Sequence, residues 1–419
     1  MKRGFIVITL MSVVLNWSVA ISAEGPGRLI QPNDLEYRGA FKLPDGPPEI
    51  GWEWSGEGMT YFPGGDPKGL DDGHTGSLFG VGHNWNQYVS EIRIPRPVIS
   101  PKKILMELPR AKTLQKFGDI KGNLYEELEQ PRMGLAYLPK QGGQERDKLY
   151  FCRAHHLNEG QKDPSHGWCE LDLSNPKSAG PWRIGGLTNY HTSDFIFRIP
   201  KEWADKNTPG MLLATGRYRD GGQASQGPSI YAFAPWKHGN PPPKGAVLKA
   251  VTLLEYSSVT EGNQRKIKNY HHSDDWSGAA WLTAGKKSAV ILVGTKGHGK
   301  CWYGYANGLV WPDKPPYPPV PPWPNDDRGW WSTTFTGQFI FFNPNDIAAV
   351  VTGKKKPYEP QPYAVMEIDD RLFAIKSKQQ LRHVGAASFD RERGFLYVFE
   401  FRGDEDKCLV HVWHVRPEQ

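Results

Sequence analysis

The sequence predicts an all-β protein built as a ring of five similar four-stranded units, and three observations support this prediction. Glycine (46) and proline (36) together make up about a fifth of the 419 residues, and aromatic residues add 12%. This composition favours turns and short strands over long helices, and the aromatic content argues against a disordered chain. A pattern of strands recurs five times, and two short segments recur almost unchanged.

Each repeated unit begins with two strands that can be recognised by their residue types. The first is a short strand of small and aromatic residues, predicted at 56–62, 133–138, 194–199, 278–283 and 385–389. The second is apolar, predicted at 78–82, 149–152, 211–215, 289–294 and 395–399.

The third strand of each unit alternates apolar and polar residues and runs into a proline, which marks a strand end because it cannot donate to the ladder. These strands are predicted at 88–95, 169–176, 229–235, 338–344 and 409–417. Weaker fourth strands are predicted at 103–108, 182–185, 247–256 and 363–368. The fifth unit has no sequence left for a fourth strand, and residues 35–43 are predicted to supply it and close the ring.

Two recurrences fix the register of the repeat. The tripeptide at 54–56, Trp-Ser-Gly, returns at 276–278, and the segment 189–194 (NYHTSD) returns with one change at 269–274 (NYHHSD). Five such units arranged radially predict a five-bladed β-propeller. A pair of β-sandwiches or another all-β array is the alternative. A larger ring would need regular strands within 297–336, and the proline-rich stretch there argues against them.

The predicted organisation is a signal peptide at residues 1–23 followed by one propeller domain at 24–419. The blades are predicted at about 54–110, 130–186, 190–256, 276–368, and 383–417 together with 35–43, with a lid-like insertion at 297–336. One short helix is expected at 345–353, since this segment begins with Asn-Asp and ends at Gly.

The first residues predict export of the protein. Lys2 and Arg3 precede an apolar run at 4–15 and small residues near Ala23, which is the plan of a secretory signal peptide. We therefore expect a secreted protein, in the periplasm, at the cell surface or outside the cell, with no stable membrane span after cleavage. Because cleavage removes Lys2 and Arg3, the formal charge falls from +6 to +4, which is too weakly basic to predict nucleic-acid binding.

Four cysteines in an exported chain can pair in three ways. Cys152 and Cys169 flank one predicted strand-loop-strand unit, so they are expected to form a local disulfide.

The loops that enter the innermost strands, and the loops that join second to third strands, open on one face of a propeller. Eight of the thirteen histidines fall in these predicted loops: His83, His155, His156, His191, His271, His272, His298 and His383. Arginines and lysines share the loops, so the mouth is expected to be electropositive and rich in groups that titrate near neutral pH. The alternative is that these side chains hold neighbouring blades together.

The insertion at 297–336 carries eight tryptophan and tyrosine residues, among them Trp302. Aromatic rings pack well on the apolar faces of sugars, and arginine binds carboxylate or sulfate groups in a planar fork. An anionic polysaccharide is therefore the expected partner. A self-packed surface loop or a partner-binding patch would explain the insertion equally simply.

In its architecture and its His, Tyr and Arg residues, the chain resembles propeller-fold lyases that act on ulvan, an algal sulfated uronate polysaccharide. The resemblance implies a polysaccharide lyase in which a cation neutralises the uronate carboxylate and acid-base groups carry out elimination. Its implied catalytic residues are His191 or His272 as base, Tyr218 as acid, and Arg132, Arg217 or Arg219 as carboxylate partner. Further substrate-binding residues are expected at His83, Arg217, Arg219, Lys296, His298, Trp302, His383 and Arg402.

Three other interpretations stay open. A propeller-type glycoside hydrolase would need two opposed carboxyl groups, and Glu57 and Asp274 or Asp275 are candidates. A non-catalytic sugar-binding or scaffold propeller would use the same aromatic insertion. A divalent metal ion could be held by His271, Asp274 and Asp275, although their spacing is not diagnostic.

Overall fold

The structure is a computed structural model, and it describes residues 28–47, 49–66, 69, 74–125, 132–154, 163–187, 192–218, 226–256, 265–323 and 325–417. The predicted signal peptide at 1–23 lies outside these ranges. Within them the chain forms five sheets, each containing the four antiparallel strands of a propeller blade, and one sheet has a short fifth strand at its edge.

The strands follow the blades almost in chain order. The first strand, β1 (Leu35–Lys42), belongs to the last blade. Blade 1 contains β2 (Met59–Phe62), β3 (Ser77–Val81), β4 (Val89–Arg93) and β5 (Thr113–Gly118). Blade 2 contains β6 (Arg132–Leu138), β7 (Lys148–Ala154), β8 (His166–Cys169) and β9 (Ala179–Ile184). Blade 3 contains β10 (Phe195–Arg198), β11 (Leu213–Arg217), β12 (Ser229–Phe233) and, after the short β13 (Val247–Leu248), the outer strand β14 (Ala250–Glu255).

Blades 4 and 5 complete the ring. Blade 4 contains β15 (Asp275–Ala284), β16 (Lys287–Gly304), β17 (Gly329–Phe342) and β18 (Ala364–Glu367), and blade 5 contains β19 (Val384–Asp390), β20 (Phe395–Asp404), β21 (Lys407–Val415) and β1. Each innermost strand contacts that of the next blade, from β2 through β6, β10, β15 and β19 back to β2. The five-bladed propeller predicted from the repeat is therefore confirmed, including closure by β1, which pairs antiparallel with β21.

Two predicted outer strands differ from those in the structure. The prediction placed the outer strand of blade 1 at 103–108, but the strand that pairs with β4 is β5, and Leu105–Glu107 is a 3-10 turn. The outer strand of a blade is half exposed to solvent, so it does not need to be strongly apolar. For this reason the more apolar segment 103–108 was wrongly preferred to 113–118. The predicted strand 247–256 is divided: β13 pairs in parallel with β9 of blade 2, and only β14 belongs to blade 3.

Glycine allows the innermost strands to approach one another closely at the axis. A Cβ atom on Gly278 would lie 2.5 Å from the carbonyl oxygen of Gly385, and one on Gly385 would lie 2.3 Å from that of Gly56. Both distances are far below van der Waals contact. The small residues that begin the repeat are therefore required by the packing of neighbouring blades.

The hydrophobic core lies between adjacent blades. One cluster joins residues of blades 2, 3 and 4, another joins blades 4 and 5, and two more flank blade 1. Backbone-to-hydroxyl hydrogen bonds add to this packing: the N–H of Tyr137 donates to Thr60 Oγ1 at 2.8 Å, and that of Tyr61 donates to Ser388 Oγ at 2.7 Å.

The predicted Cys152–Cys169 disulfide is wrong. All four cysteines are free thiols. The register of β7 and β8 pairs Cys152 with His166 and Cys169 with Leu149, so the Cα atoms of the two cysteines are offset by three residues along the strands, about 10 Å at 3.3 Å per residue. A disulfide needs its Cα atoms within about 7 Å.

Two short helices lie outside the sheets, α1 (Lys201–Asn207) and α2 (Pro344–Val351). The second confirms the predicted helix: the side chain of Asn343 accepts the N–H of Asn345, and Pro344 occupies the first turn. Neither helix of the described chain has the length and apolar character needed to cross a membrane.

Candidate functional site

The innermost strands begin at one opening of the central channel, which we call the upper mouth. Six charged side chains form three ion pairs there, and we call them the charged ring: Glu57, Arg132, Asp194, Arg217, Asp275 and Arg382. They share one electrostatic environment, because Arg132 is attracted by all three carboxylates and Asp275 by two of the arginines.

The ion pair between Arg132 and Asp275 is the one that joins two non-adjacent blades. Each residue is the first of its innermost strand, β6 in blade 2 and β15 in blade 4, so the pair reaches past the entrance of blade 3. The guanidinium donates two parallel hydrogen bonds of 3.1 and 2.8 Å to the carboxylate. Burial by itself raises the pKa of Asp275, but Arg132, Arg382 and the Ser277 hydroxyl outweigh it, so this pKa lies well below its usual range.

The other two pairs each lie where an innermost strand begins. Arg217, the last residue of β11, donates to Asp194 at 3.2 Å, and both side chains are almost fully buried. Arg382 pairs with Glu57 between blades 5 and 1. The charged ring therefore contains three carboxylates and three arginines and neutralises itself.

This arrangement changes what the predicted arginines can do. Arg132 and Arg217, expected to bind a substrate carboxylate, are already bound to carboxylates of the protein. The ring of Tyr218, the predicted acid, lies against both guanidiniums, at 4.4 Å from Arg132 and 5.5 Å from Arg217. Tyr218 is thus held at the upper mouth by two cation–π contacts.

The recurring segment NYH(T/H)SD has the same role in blades 3 and 4. Its final residue, Asp194 or Asp274, pairs with a basic residue of the second strand, Arg217 or Lys296. The same carboxylate accepts the next backbone N–H, from Tyr218 at 3.0 Å and from Gly297 at 3.0 Å. The aspartate that ends the recurring segment therefore links the entrance loop to the second strand of the same blade.

Three histidines lie together at the entrance of blade 4. His272 stacks on Trp330 with ring centroids 4.3 Å apart, and its Nδ1 is hydrogen-bonded to the hydroxyl of Tyr270. His271 Nδ1 lies 3.1 Å from the hydroxyl of Ser332. His298 Nε2 lies 2.7 Å from that of Thr336.

A cavity of about 610 Å³ opens beside these residues. His271, Lys296, His298 and Tyr270 are among its lining side chains. Burial, with help from Lys296, lowers the pKa of His271 to about 4, and the same causes lower the pKa of His298. Both imidazoles are therefore neutral at pH 7 and can accept a proton or a hydrogen bond.

The predicted metal ligands do not meet around an ion site. Asp274 accepts hydrogen bonds from Lys296 at 2.9 Å and from two backbone N–H groups, and Asp275 is bound by Arg132. In the ranges that the structure describes, no three His, Cys, Asp or Glu side chains are grouped so that they could hold a metal ion.

The remaining predicted substrate residues differ in exposure. His383 is buried, with Nδ1 2.8 Å from Asp369 and Nε2 2.9 Å from the carbonyl of Gln380, so it is a structural residue. His83 packs against Trp85, whose side chain is 81% exposed. Arg402 is exposed, lies 4.2 Å from the ring of Trp54, and makes no ion pair with any described residue.

The predicted lid is largely a two-stranded extension of blade 4. Strands β16 and β17 continue to Gly304 and Gly329, and Trp302 pairs with Trp331 across the ladder. Beyond them, Trp311 stacks on Tyr317 at 4.8 Å. The extension reaches toward blade 5, because the charge of Asp327 is near enough to Arg402 to oppose the lowering of its pKa by burial.

Two predicted site residues, His191 and Arg219, lie outside the described residues, as do His155 and His156. Sequence reasoning missed the role of Asp194. The signal was available in the recurring segment, which ends in an aspartate both times.

No protein-family model matches the sequence, and no curated protein matches it. Among solved structures, the chain is similar to the Dos1 propeller, with 8% sequence identity and a TM-score of 0.25. The alignment covers 82% of this chain and 66% of that one. A likeness this distant carries no argument about the site, and the class of protein, a five-bladed β-propeller, follows from the sheet topology.

Proposed function

We propose that this protein is an exported polysaccharide lyase that binds a uronate-containing polymer across the upper mouth. The observation that carries the proposal is the pairing of Arg402 with Trp54. Arg402 is an exposed cation of the mouth that forms no ion pair with a described carboxylate, and Trp54 is 42% exposed beside it. An indole for the sugar face and a guanidinium for its carboxylate form a uronate subsite.

Aromatic groups extend this subsite on both sides. Trp85 is exposed in blade 1, and Trp330 and Tyr303 lie on the extension of blade 4 with ring centroids 5.4 Å apart. The charge of Asp327, which lies between the two strands of the extension in the chain, is felt at Arg402. These aromatic groups support a polymer that lies along the mouth between blade 1 and blade 4.

Elimination requires one base, one acid and one carboxylate partner. The base removes the proton next to the uronate carboxylate, the bond to the leaving oxygen breaks, and the acid returns a proton to that oxygen. We assign His272 as base, Tyr218 as acid, and Arg402 as carboxylate partner in place of Arg132, because the guanidinium of Arg132 is engaged by Asp275. The predicted base His191 is the alternative to His272.

The test is ultraviolet absorbance of purified protein incubated with a panel of uronate polysaccharides. Newly formed unsaturated uronate raises the absorbance. The variant Tyr218→Phe keeps the ring on both arginines while removing the hydroxyl, so we expect kcat to fall by about 10²-fold or more, the contribution of a general acid, while polymer binding is retained. Arg402→Met should instead raise KM. Arg38→Met, which removes an exposed arginine that pairs with Glu36, is the matched control.

Hydrolysis is a second candidate because the charged ring contains three carboxylates, Glu57, Asp194 and Asp275, around one channel. The lowered pKa of Asp275 suits a nucleophile or a base and excludes it as the acid. New reducing ends without unsaturated uronate would favour hydrolysis over elimination. Retention of a polymer without any cleavage would leave a binding protein and refute both enzymatic proposals.

A further inference from the structure

The channel has a second opening where the innermost strands end, which we call the lower mouth. A cavity of about 160 Å³ lies there, and residues from all five innermost strands or the turns after them line it. Most of the lining is small or apolar, such as Ala136 and Ala280. Two arginines interrupt it, Arg198 at the end of β10 and Arg391 after β19.

Arg391 is held in place but has no counter-charge in contact. Its Nη2 donates to the carbonyl oxygens of Arg198 at 3.1 Å and Trp281 at 3.5 Å. Its Nε is buried without a hydrogen-bond partner. Burial, together with the nearby Arg198, lowers the pKa of Arg391 to about 9, which shows how poorly the surroundings compensate this cation.

Arg198 likewise has no counter-charge in contact among the described residues. Its Nε is also buried without a partner, and its guanidinium lies 5.9 Å from the ring of Tyr137. Burial lowers its pKa as well. Among the described residues, neither guanidinium forms an ion pair, whereas Arg132 and Arg217 at the upper mouth both do.

The described carboxylates around the lower mouth form no ion pair with Arg198 or Arg391. Asp390 lines the cavity but is bound by Arg393 at 2.7 Å. Glu392, which lines the cavity, and Asp147 act on Arg198 only at longer range, and Glu202 acts on Arg391 in the same way. Two like charges buried side by side are stable only when hydrogen-bonded acceptors of opposite charge compensate them.

Two hydroxyl groups in the lining can contribute hydrogen bonds. Thr60 Oγ1 accepts the N–H of Tyr137, and Ser388 Oγ accepts that of Tyr61. Because each oxygen already accepts one hydrogen bond and donates none in the described contacts, its own O–H is available to a ligand. The cavity volume of about 160 Å³ is large enough for one small anion.

We propose that the lower mouth is a binding site for one small oxyanion, such as phosphate, sulfate or acetate, held between Arg198 and Arg391. A guanidinium matches an oxyanion through two parallel N–H donors, and two converging guanidiniums neutralise a dianion. The proposal is independent of the reaction at the upper mouth.

The test is calorimetric titration of the whole protein with inorganic phosphate, sulfate and acetate at constant ionic strength. We expect one site per chain, and at least tenfold weaker binding in Arg198→Met. This variant removes a guanidinium that makes no described side-chain hydrogen bond, so the fold should be retained, as circular dichroism can verify. Arg391→Met should weaken binding similarly, and Arg371→Met, an exposed arginine that pairs with Asp370, should not.

Two results would overturn the proposal. One is the absence of saturable binding of any of the three anions to the folded wild-type protein. The other is equal affinity in the wild type and in Arg198→Met, which would place the anion elsewhere. An anomalous peak from selenate between the two guanidiniums in a soaked crystal would confirm the position directly.

Discussion

Replacing Asp275 by Asn removes the charge that holds Arg132 and leaves a guanidinium without its partner at the centre of the charged ring. Breaking a buried ion pair in this way costs about 3–5 kcal/mol. The two side chains are 19% and 16% exposed, and Asp194 and Glu57 still attract Arg132. We therefore expect the free energy of unfolding to fall by the lower end of that range, about 3 kcal/mol.

The assay is urea unfolding of the wild type, Asp275→Asn, Arg132→Met and the double variant, followed by tryptophan fluorescence. Because the orphaned cation causes the loss, the double variant should be more stable than Asp275→Asn by about 1 kcal/mol or more, and the cycle should show coupling between the two sites. A loss below about 1 kcal/mol for Asp275→Asn, with no coupling, would show that solvent screens the pair and would refute the reasoning.

The pH dependence of this difference has a defined sign. The pKa of Asp275 is lower in the folded protein than in the unfolded chain, where it is about 3.9. Its ionised form therefore contributes stability above about pH 4, and the contribution is lost as the pH falls further, toward the folded-state pKa. The difference between wild type and Asp275→Asn should be constant from pH 5 to pH 8 and should shrink below about pH 4.

Three further predictions concern the scaffold. Gly385→Ala places a Cβ 2.3 Å from the Gly56 carbonyl oxygen, so its free energy of unfolding, measured by thermal unfolding, should fall by about 1–3 kcal/mol. The control Gly329→Ala, which has no atom within 4 Å of the new Cβ, should change this free energy little. Thiol titration of the unreduced, denatured protein should find four free thiols, and two would contradict the free cysteines. Burial lowers the pKa of His166 to about 3, so stability should fall by about 1.4 kcal/mol per pH unit between pH 6.5 and 3 through this residue; urea unfolding over that range should show a shallower decline in His166→Gln, and equal slopes would contradict the assignment.

Sequence reasoning predicted the ring because its signals are local. Apolar second strands and a proline after the third strand recur in every blade, and glycine recurs at or near the innermost strands of four of the five. The outer strands were predicted less well, as at β5 and β13, because a half-exposed edge accepts almost any residue and its pairing depends on the neighbouring blade.

The site was harder to predict because its pairing runs between blades. Arg132 and Asp275 were both among the predicted site residues, but the sequence gives no signal that Arg132 reaches past blade 3 to Asp275. Three arginines of the expected electropositive mouth instead belong to a ring in which each of them has a carboxylate. The repeat indicates which residues lie at the mouth but cannot indicate which of them neutralise one another.

The two ends of the channel follow opposite electrostatic rules, and this difference bears on where ligands bind. At the upper mouth the charged ring is satisfied internally, so a polymer there must be recognised by groups outside the ring, such as Arg402 and the exposed tryptophans. At the lower mouth the Nε atoms of Arg198 and Arg391 are buried without a hydrogen-bond partner, and neither guanidinium forms an ion pair with a described carboxylate. A charged ligand gains most where the protein has left a charge uncompensated, so a small oxyanion suits the lower mouth, and a uronate polymer at the upper mouth depends on Arg402 rather than on the charged ring.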